Sequence, residues 1–251
     1  MPQLNRFYSL PLALRLVQIV LAMGLIHGMP LAALAQEFVP PQRGLPGRRV
    51  GGGTRGGCIA GQTALTALMP ESNLSLTVSE RPDLFWYLPP NTAAQLEFTL
   101  LDANDQEVYK TTFQPDETGG IMSLPNPTDL PALEIGLDYH WYFAVICNEQ
   151  DRSADVVTEG WIQRIEPDTA LTQQLETATA SDRPALYAAA GIWQDALMTL
   201  ATLRQSQPHD ADVARAWTVL LESVNLGHLA DQPVVPCRSN RHHGAIAPES
   251  F

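Results

Sequence analysis

Between Leu74 and Ile165, apolar β-branched and aromatic residues come in short runs that alternate with polar ones and stop at turn residues. That is the period of strands, not of helices. Seven strands are predicted: Leu74 to Ser79, Leu84 to Leu88, Gln95 to Leu101, Glu107 to Phe113, Ile121 to Leu124, Tyr139 to Cys147 and Val156 to Ile165. Asp102-Ala103-Asn104-Asp105 reads as a hairpin turn, and Thr118-Gly119-Gly120 and the stretch from Pro125 to Pro131 punctuate the others. Beyond Glu166-Pro167 the rhythm becomes helical. Leu171 and Leu175 fall on one helix and Leu186 begins another, while Trp193, Ala196, Leu197, Leu200 and Leu203 keep an i, i+3, i+4, i+7 spacing. Ala211 to Leu226, with Trp217, Leu220 and Leu221 on one face, predicts the next helix.

This order of elements predicts a mainly β chain with an α portion, a β-sandwich followed by a small helical segment. Within it, the Leu133, Gly136, Tyr139 spacing resembles the tyrosine corner of immunoglobulin- and fibronectin-type-III-like domains. The resemblance implies a hydrogen bond between Tyr139 and the backbone just upstream. Gly191-Ile192-Trp193-Gln194-Asp195-Ala196-Leu197, with Pro208 following, resembles the second helix of a tetratricopeptide repeat. A single such match is below the roughly three repeats that a free-standing solenoid needs, so the helices are expected to pack on the sandwich. Alternation along the strand ending at Cys147 puts Tyr139, Trp141, Phe143 and Val145 on one face and His140, Tyr142, Ala144 and Ile146 on the other. Both faces are largely apolar, which predicts a core face and a second face covered in part by the helices.

The ends of the chain differ from this middle. Arg6 and Arg15, the apolar run from Val17 to Ile26 and the small-residue site Ala33-Leu34-Ala35 read as an export signal over residues 1–35; an uncleaved anchor over Leu16 to Leu34 is the competing reading, weakened by Gln18, His27 and Pro30. Residues 36–57, rich in Gly, Pro and Arg, read as a flexible arm. The sandwich is expected over 58–166, the helical segment over 167–230 and a disordered tail over 231–251. An exported chain favours disulfides, and Cys58 with Cys147 would pin the arm to the sandwich. Such a closure is worth about 4 to 5 kcal/mol on an entropic account. Cys237 is left over, and sequence alone leaves the connectivity open.

The net charge of −12 with a single lysine, Lys110, argues against nucleic-acid binding and against anionic lipid. There is no Gly-Lys-Ser/Thr phosphate loop, and the G-x-G-x-x-G at 51–56 follows no predicted strand, so it carries no cofactor assignment. No His-Glu-x-x-His or Gly-x-Ser-x-Gly is present, and no catalytic residue or cofactor is assigned. Trp86, Tyr87 and Trp161 fit either a sugar-binding platform or the core, with packing the simpler account. His140 has no evident carboxylate partner and reads as structural. Cys237, His242 and His243 fall short of the four ligands of a structural metal site, so no metal is assigned. Asp151-Arg152-Ser153-Ala154-Asp155, between the last two strands, is the candidate contact loop; its plainer reading is a turn in which Arg152 holds Asp151 or Asp155.

Five strings, GRRVGGGTRGGC, LTALMPE, SERPDLFWYLP, LEIGLDYHWYFAVICNEQDRSADVVTEGWIQRI and GIWQDALMTLATL, occur in this order between Arg48 and Pro233. In them the chain resembles the cyanobacterial exported family catalogued as domain of unknown function 928. The resemblance implies an exported protein without an assigned activity, with Cys58 and Cys147 in the matching motifs. Two readings of function follow. One is a non-catalytic envelope module that binds another exported protein or a surface polymer through Asp151, Arg152 and Asp155, without stable membrane insertion once the signal is removed. The other is an envelope hydrolase acting on a glycan through paired carboxylates, though nothing in the sequence selects the pair.

Overall fold

The computed structural model describes residues 37–52, 57–124 and 129–235. They form a mixed α and β fold, a curled and mostly antiparallel sheet followed by four α-helices. The strands are β1 (Arg48–Gly52), β2 (Thr66–Ala67), β3 (Leu74–Thr77), β4 (Phe85–Leu88), β5 (Gln95–Leu101), β6 (Glu107–Phe113), β7 (Gly120–Ser123), β8 (Asp138–Ile146) and β9 (Val156–Arg164). The helices are α1 (Thr169–Thr177), α2 (Arg183–Ala189), α3 (Trp193–Ser206) and α4 (Ala211–Glu222).

Pairing runs β6-β5-β8-β9-β1-β2-β4-β7, and β3 lies parallel to β9 beside Trp161 to Arg164. Sheet twist brings the two ends of this path face to face. Trp86 on β4 stacks on Phe143 of β8, ring centroids 4.3 Å apart and 15° from parallel, although the two strands are not neighbours. The core inside the curl also holds Phe98, Leu100, Trp141, Val145 and Ile162. A second core lies between the helices and the β4-β7 end, where Phe85, Tyr87 and Ile121 meet Trp193, Leu197, Trp217 and Leu221.

Local chemistry accounts for several boundaries. Asp102 Oδ1 accepts from the N–H groups of Asn104 and Gln106, closing the predicted hairpin with Asp105 at φ +59°. Asp168 and Asp210 accept from N–H groups in the first turns of α1 and α4 and so fix their starts. Glu134 N–H donates to Tyr139 Oη at 3.1 Å, the bond that the corner spacing predicted. Gly136 between them takes φ +83°, which a side chain would resist.

Three expectations are corrected. Residues 37–52, read as a flexible arm, lie on the body: Phe38 is buried, Arg43 pairs with Asp138, and β1 fills the seam between β9 and β2. Arg49 donates to the carbonyls of Met69 and Val224, tying the strand to the helical side. The strand has no apolar rhythm because packing there calls for the absence of a side chain. A Cβ on Gly51 would stand 2.9 Å from Val156 Cγ1 and 3.1 Å from Leu65 Cβ. The second correction concerns the helices, which cover Phe85, Tyr87 and Ile121 and not the outer face of β8. Residues 233–235, assigned to the tail, run along β7, where Ile121 N–H donates to Pro233 O and Val235 N–H to Ile121 O. The signal at 1–35, the glycines at 53 and 56, and the Cys237, His242 and His243 group lie outside the described residues.

Candidate functional site

Because the helices sit elsewhere, the outer face of β5, β8 and β9 is half-exposed, met along its β8-β9 side by the segment in which Arg43 pairs with Asp138 and Pro46 O accepts from Trp161 Nε1. Register decides what it displays. On β8, His140 stands opposite Trp161 of β9, and Tyr142 opposite Glu159. On the other side Tyr142 faces Thr99, and Ala144 faces Glu97 of β5. The His140 and Trp161 rings stack at 4.2 Å and 3°. The Tyr142 hydroxyl lies 3.2 Å from His140 Nδ1. On the far side of the ring, His140 Nε2 is 3.3 Å from Glu159 Oε2 but out of line for a hydrogen bond. Burial lowers the proton affinity of His140, and the nearby Glu159 and Asp105 charges work against that.

A second charged group adjoins it. Glu97 takes Lys110 of β6 at 3.1 Å and Arg152 at 3.0 Å. Burial works to raise the Glu97 carboxyl, yet the hydrogen bonds from Arg152 and Lys110 hold it below the ordinary value. Arg152 also pairs with Asp155, while Asp151 accepts from Ser153 and caps the short 3-10 turn Arg152–Ala154. The contact loop is therefore an ion-paired turn on the edge of the face, with Arg152 holding Asp155 and Glu97, not Asp151. Among the described residues the exposed large apolar side chains are Val39, Val50, Val108, Ile135 and Leu137. Four of the five border this face: Val50 on β1, Val108 on β6, and Ile135 and Leu137 in the turn entering β8.

The aromatic platform is not assembled. Trp86 is buried inside the curl and Tyr87 lies under the helices, so only Trp161 reaches the outer face, where one side of its ring is covered by His140. Sequence reading missed the Glu159 partner of His140, because the match depends on register across β8 and β9. The alternation of Val157, Glu159, Trp161 and Gln163 was the available signal.

Two cavities among the described residues also gather polar side chains. One of about 90 Å³ is lined by Asp83, Asp195, Thr77, Ser79, Arg81 and Gln194. Burial pushes both carboxyls up. Asp195 Oδ2 is already committed to Thr77 Oγ1 at 2.8 Å and Val78 N at 3.1 Å, and the volume is below the roughly 300 Å³ of a ligand pocket. The other, about 340 Å³, is lined by Phe38, Pro40, Arg43, Pro70, Glu71 and Val224 among others; its two charged groups are already paired, Arg43 with Asp138 and Glu71 with Arg49 at 3.6 Å. No group of three or more His, Cys, Asp or Glu residues suited to a metal ion occurs among the described residues. Nor is any helix among them long and apolar enough to cross a membrane. Cys58 and Cys147 are joined in a disulfide, Cα atoms 5.4 Å apart, linking the segment before β2 to the end of β8.

No curated protein matches the chain in sequence. Among solved structures it is similar to the fn3 domain of human collagen alpha-1(XX) chain, at 10% identity over 52% of this chain and 93% of that one, with a TM-score of 0.26. Residues 50–234 match the family described as Domain of Unknown Function (DUF928). The match spans most of the chain, both bridged cysteines and every strand from β2 to β9. The protein belongs to that family.

Proposed function

We propose that the chain is an exported, non-catalytic binding module that docks another exported or envelope protein on the outer face of β5, β8 and β9. In this reading the curled sheet is an immunoglobulin- or fibronectin-type-III-like sandwich and α2 with α3 a single tetratricopeptide-like pair. The observation that carries it is the open face itself: paired charges of both signs around an aromatic centre, bordered by four exposed apolar side chains. With β6 and β1 flanking it, the face is five strands wide, and at about 4.8 Å spacing and about 3.3 Å per residue it is roughly 20 Å by 30 Å, the scale of one side of an ordinary protein interface.

Charge and ring geometry favour a protein over a polymer. A polyanion meets a chain of net charge −12. A glycan needs open ring faces, and the Trp161 face is partly used by His140. A protein surface can supply both signs of charge and apolar groups for the border. The test is cross-linked capture from the envelope with the tagged chain, comparing wild type with Lys110→Glu and Glu159→Lys on the face and Arg215→Glu on α4. The reading expects one stoichiometric partner, lost with the two face variants and kept with Arg215→Glu. Equal capture by all four would refute it.

A further inference from the structure

The His140 cluster has more chemistry than a docking face requires. His140 is held on one face of its ring and at both ring nitrogens: Trp161 stacks on it, the Tyr142 hydroxyl approaches Nδ1, and Glu159 Oε2 approaches Nε2. Nε2 itself is buried without a hydrogen bond. The neighbours from each packed element are known. β9 brings Glu159 and Trp161, β8 brings Tyr142, and β5 brings the apolar Leu101. Asp105 acts from the hairpin turn. Arg48 of β1 stands opposite Glu159, but its guanidinium lies over Gly52, and Asp138 is occupied by Arg43.

With the imidazole neutral, Glu159 keeps a half-exposed carboxylate, its side chain 30% accessible, with no lysine or arginine among the described residues paired to it. That carboxylate is free for a cationic group of a partner. When the imidazole takes a proton, Nε2–H faces Glu159 as a cation at 3.3 Å. The charged pair then draws the carboxylate into the face. Stacking against Trp161 stabilises the imidazolium as well.

We propose that His140 and Glu159 form a proton-operated release switch on the docking face, in which protonation of His140 withdraws Glu159 from a cationic group of the bound protein. The proposal rests on the docking reading, and its two halves are measured separately. The first measurement is an NMR titration of the histidine ring protons of the full chain, with His140→Gln to assign the signal and Glu159→Gln as the test. Glu159→Gln is expected to move the His140 midpoint down by about one pH unit, the effect of removing a charge at this range. An unmoved midpoint overturns the switch.

The second measurement is cross-linked capture at about pH 7.5 and again about one pH unit below the His140 midpoint that the titration gives, which burial places below the ordinary histidine value. Wild type is expected to lose about fivefold in capture on acidification, the order expected for one rim ion pair, and Glu159→Gln to show weak capture at both values. Capture that is strong and independent of pH overturns the release role even if the titration shows coupling. No capture at either pH, with coupling intact, overturns the docking reading and with it the release role, leaving only a local titration.

Discussion

The two ends of the curled sheet have the same backbone and opposite surfaces. Along β5 half-exposed and buried residues alternate strictly, whereas all four residues of β4 are buried. β4 sends Trp86 and Leu88 into the curl and Phe85 and Tyr87 under the helices, so it is a two-sided core strand. β5, β8 and β9 send Phe98, Trp141, Phe143 and Ile162 inward, and outward a layer that no helix covers and that the segment at Arg43 and Pro46 meets along its β8-β9 side. The difference shows where selection for packing ends. A helix-covered face needs apolar side chains, so its sequence is accounted for by stability. An uncovered face is free of that demand, and its stacked rings and held charges call for another explanation.

The largest break in the comparison comes from the residue that joins the two ends. Trp86 is fully buried and touches Phe98, Trp141 and Phe143 from across the curl. Trp86→Ala is expected to destabilise by about 3 to 5 kcal/mol, the cost of emptying a large buried site. Trp161→Ala on the open face is expected to lose far less, about 1 to 2 kcal/mol, since it gives up one stack and its hydrogen bond to Pro46 O. Urea unfolding of both variants measures the contrast. Equal losses would mean that the open face is core in all but exposure.

Next in size is the bridge at the end of β8. Cys58→Ser with Cys147→Ser frees a segment closed at a sequence separation of 89. The expected loss is about 2 to 5 kcal/mol, read from the shift in denaturation midpoint against the oxidised chain. This pairing was the one expected, though three cysteines left the connectivity open, whereas the seven strands were legible within a residue or two of their ends because apolar alternation and turn residues are local signals. β1 was not legible. Arg48, Arg49 and Gly51 take their places from partners far along the chain, Glu159, Val224 and Leu65, which no window of sequence contains. The same limit hid the candidate site: His140 and Glu159 were each visible, but their meeting is a fact of strand register. The helices were legible as helices, and the face they cover was not, since Phe85 and Tyr87 look the same whether a helix or a core receives them.

Asp195 sharpens the comparison from the covered side. It lies in the first turn of α3, nearly sealed, and joins that helix to β3 through Thr77 Oγ1 and Val78 N–H. Asp195→Ala strands both donors and is expected to cost about 1 to 3 kcal/mol. Asp195→Asn keeps an acceptor for both and drops the buried charge. Burial raises the Asp195 carboxyl above its unfolded value, with the two hydrogen bonds opposing. The folded state therefore binds the proton more tightly, and wild-type stability from this group is full below the unfolded value and falls as pH rises through the folded one. Asp195→Asn is thus expected to match or exceed wild type at neutral pH and to lose that advantage in acid. A variant weaker than wild type at neutral pH, by thermal unfolding, would show that the charge itself holds α3 in place.

The smallest effect on stability is expected at Arg152, and there the two ends separate most usefully. Its guanidinium holds Glu97 and Asp155, but the side chain is 48% accessible. Water screens such a pair, so Arg152→Ala should shift unfolding by no more than about 0.5 to 1 kcal/mol. If the turn is only a local brace, that small loss is the whole result, and capture of a partner is unchanged. If the open face is a docking surface, Glu97 loses one of its two cations and the edge of the face loses its fixed charge pattern, so capture falls while the fold stands. Lys110 remains on Glu97 in this variant. A double change of Arg152 and Lys110 to Ala should therefore lower capture by more than the sum of the two single changes, because only then is Glu97 left without a cation on the face.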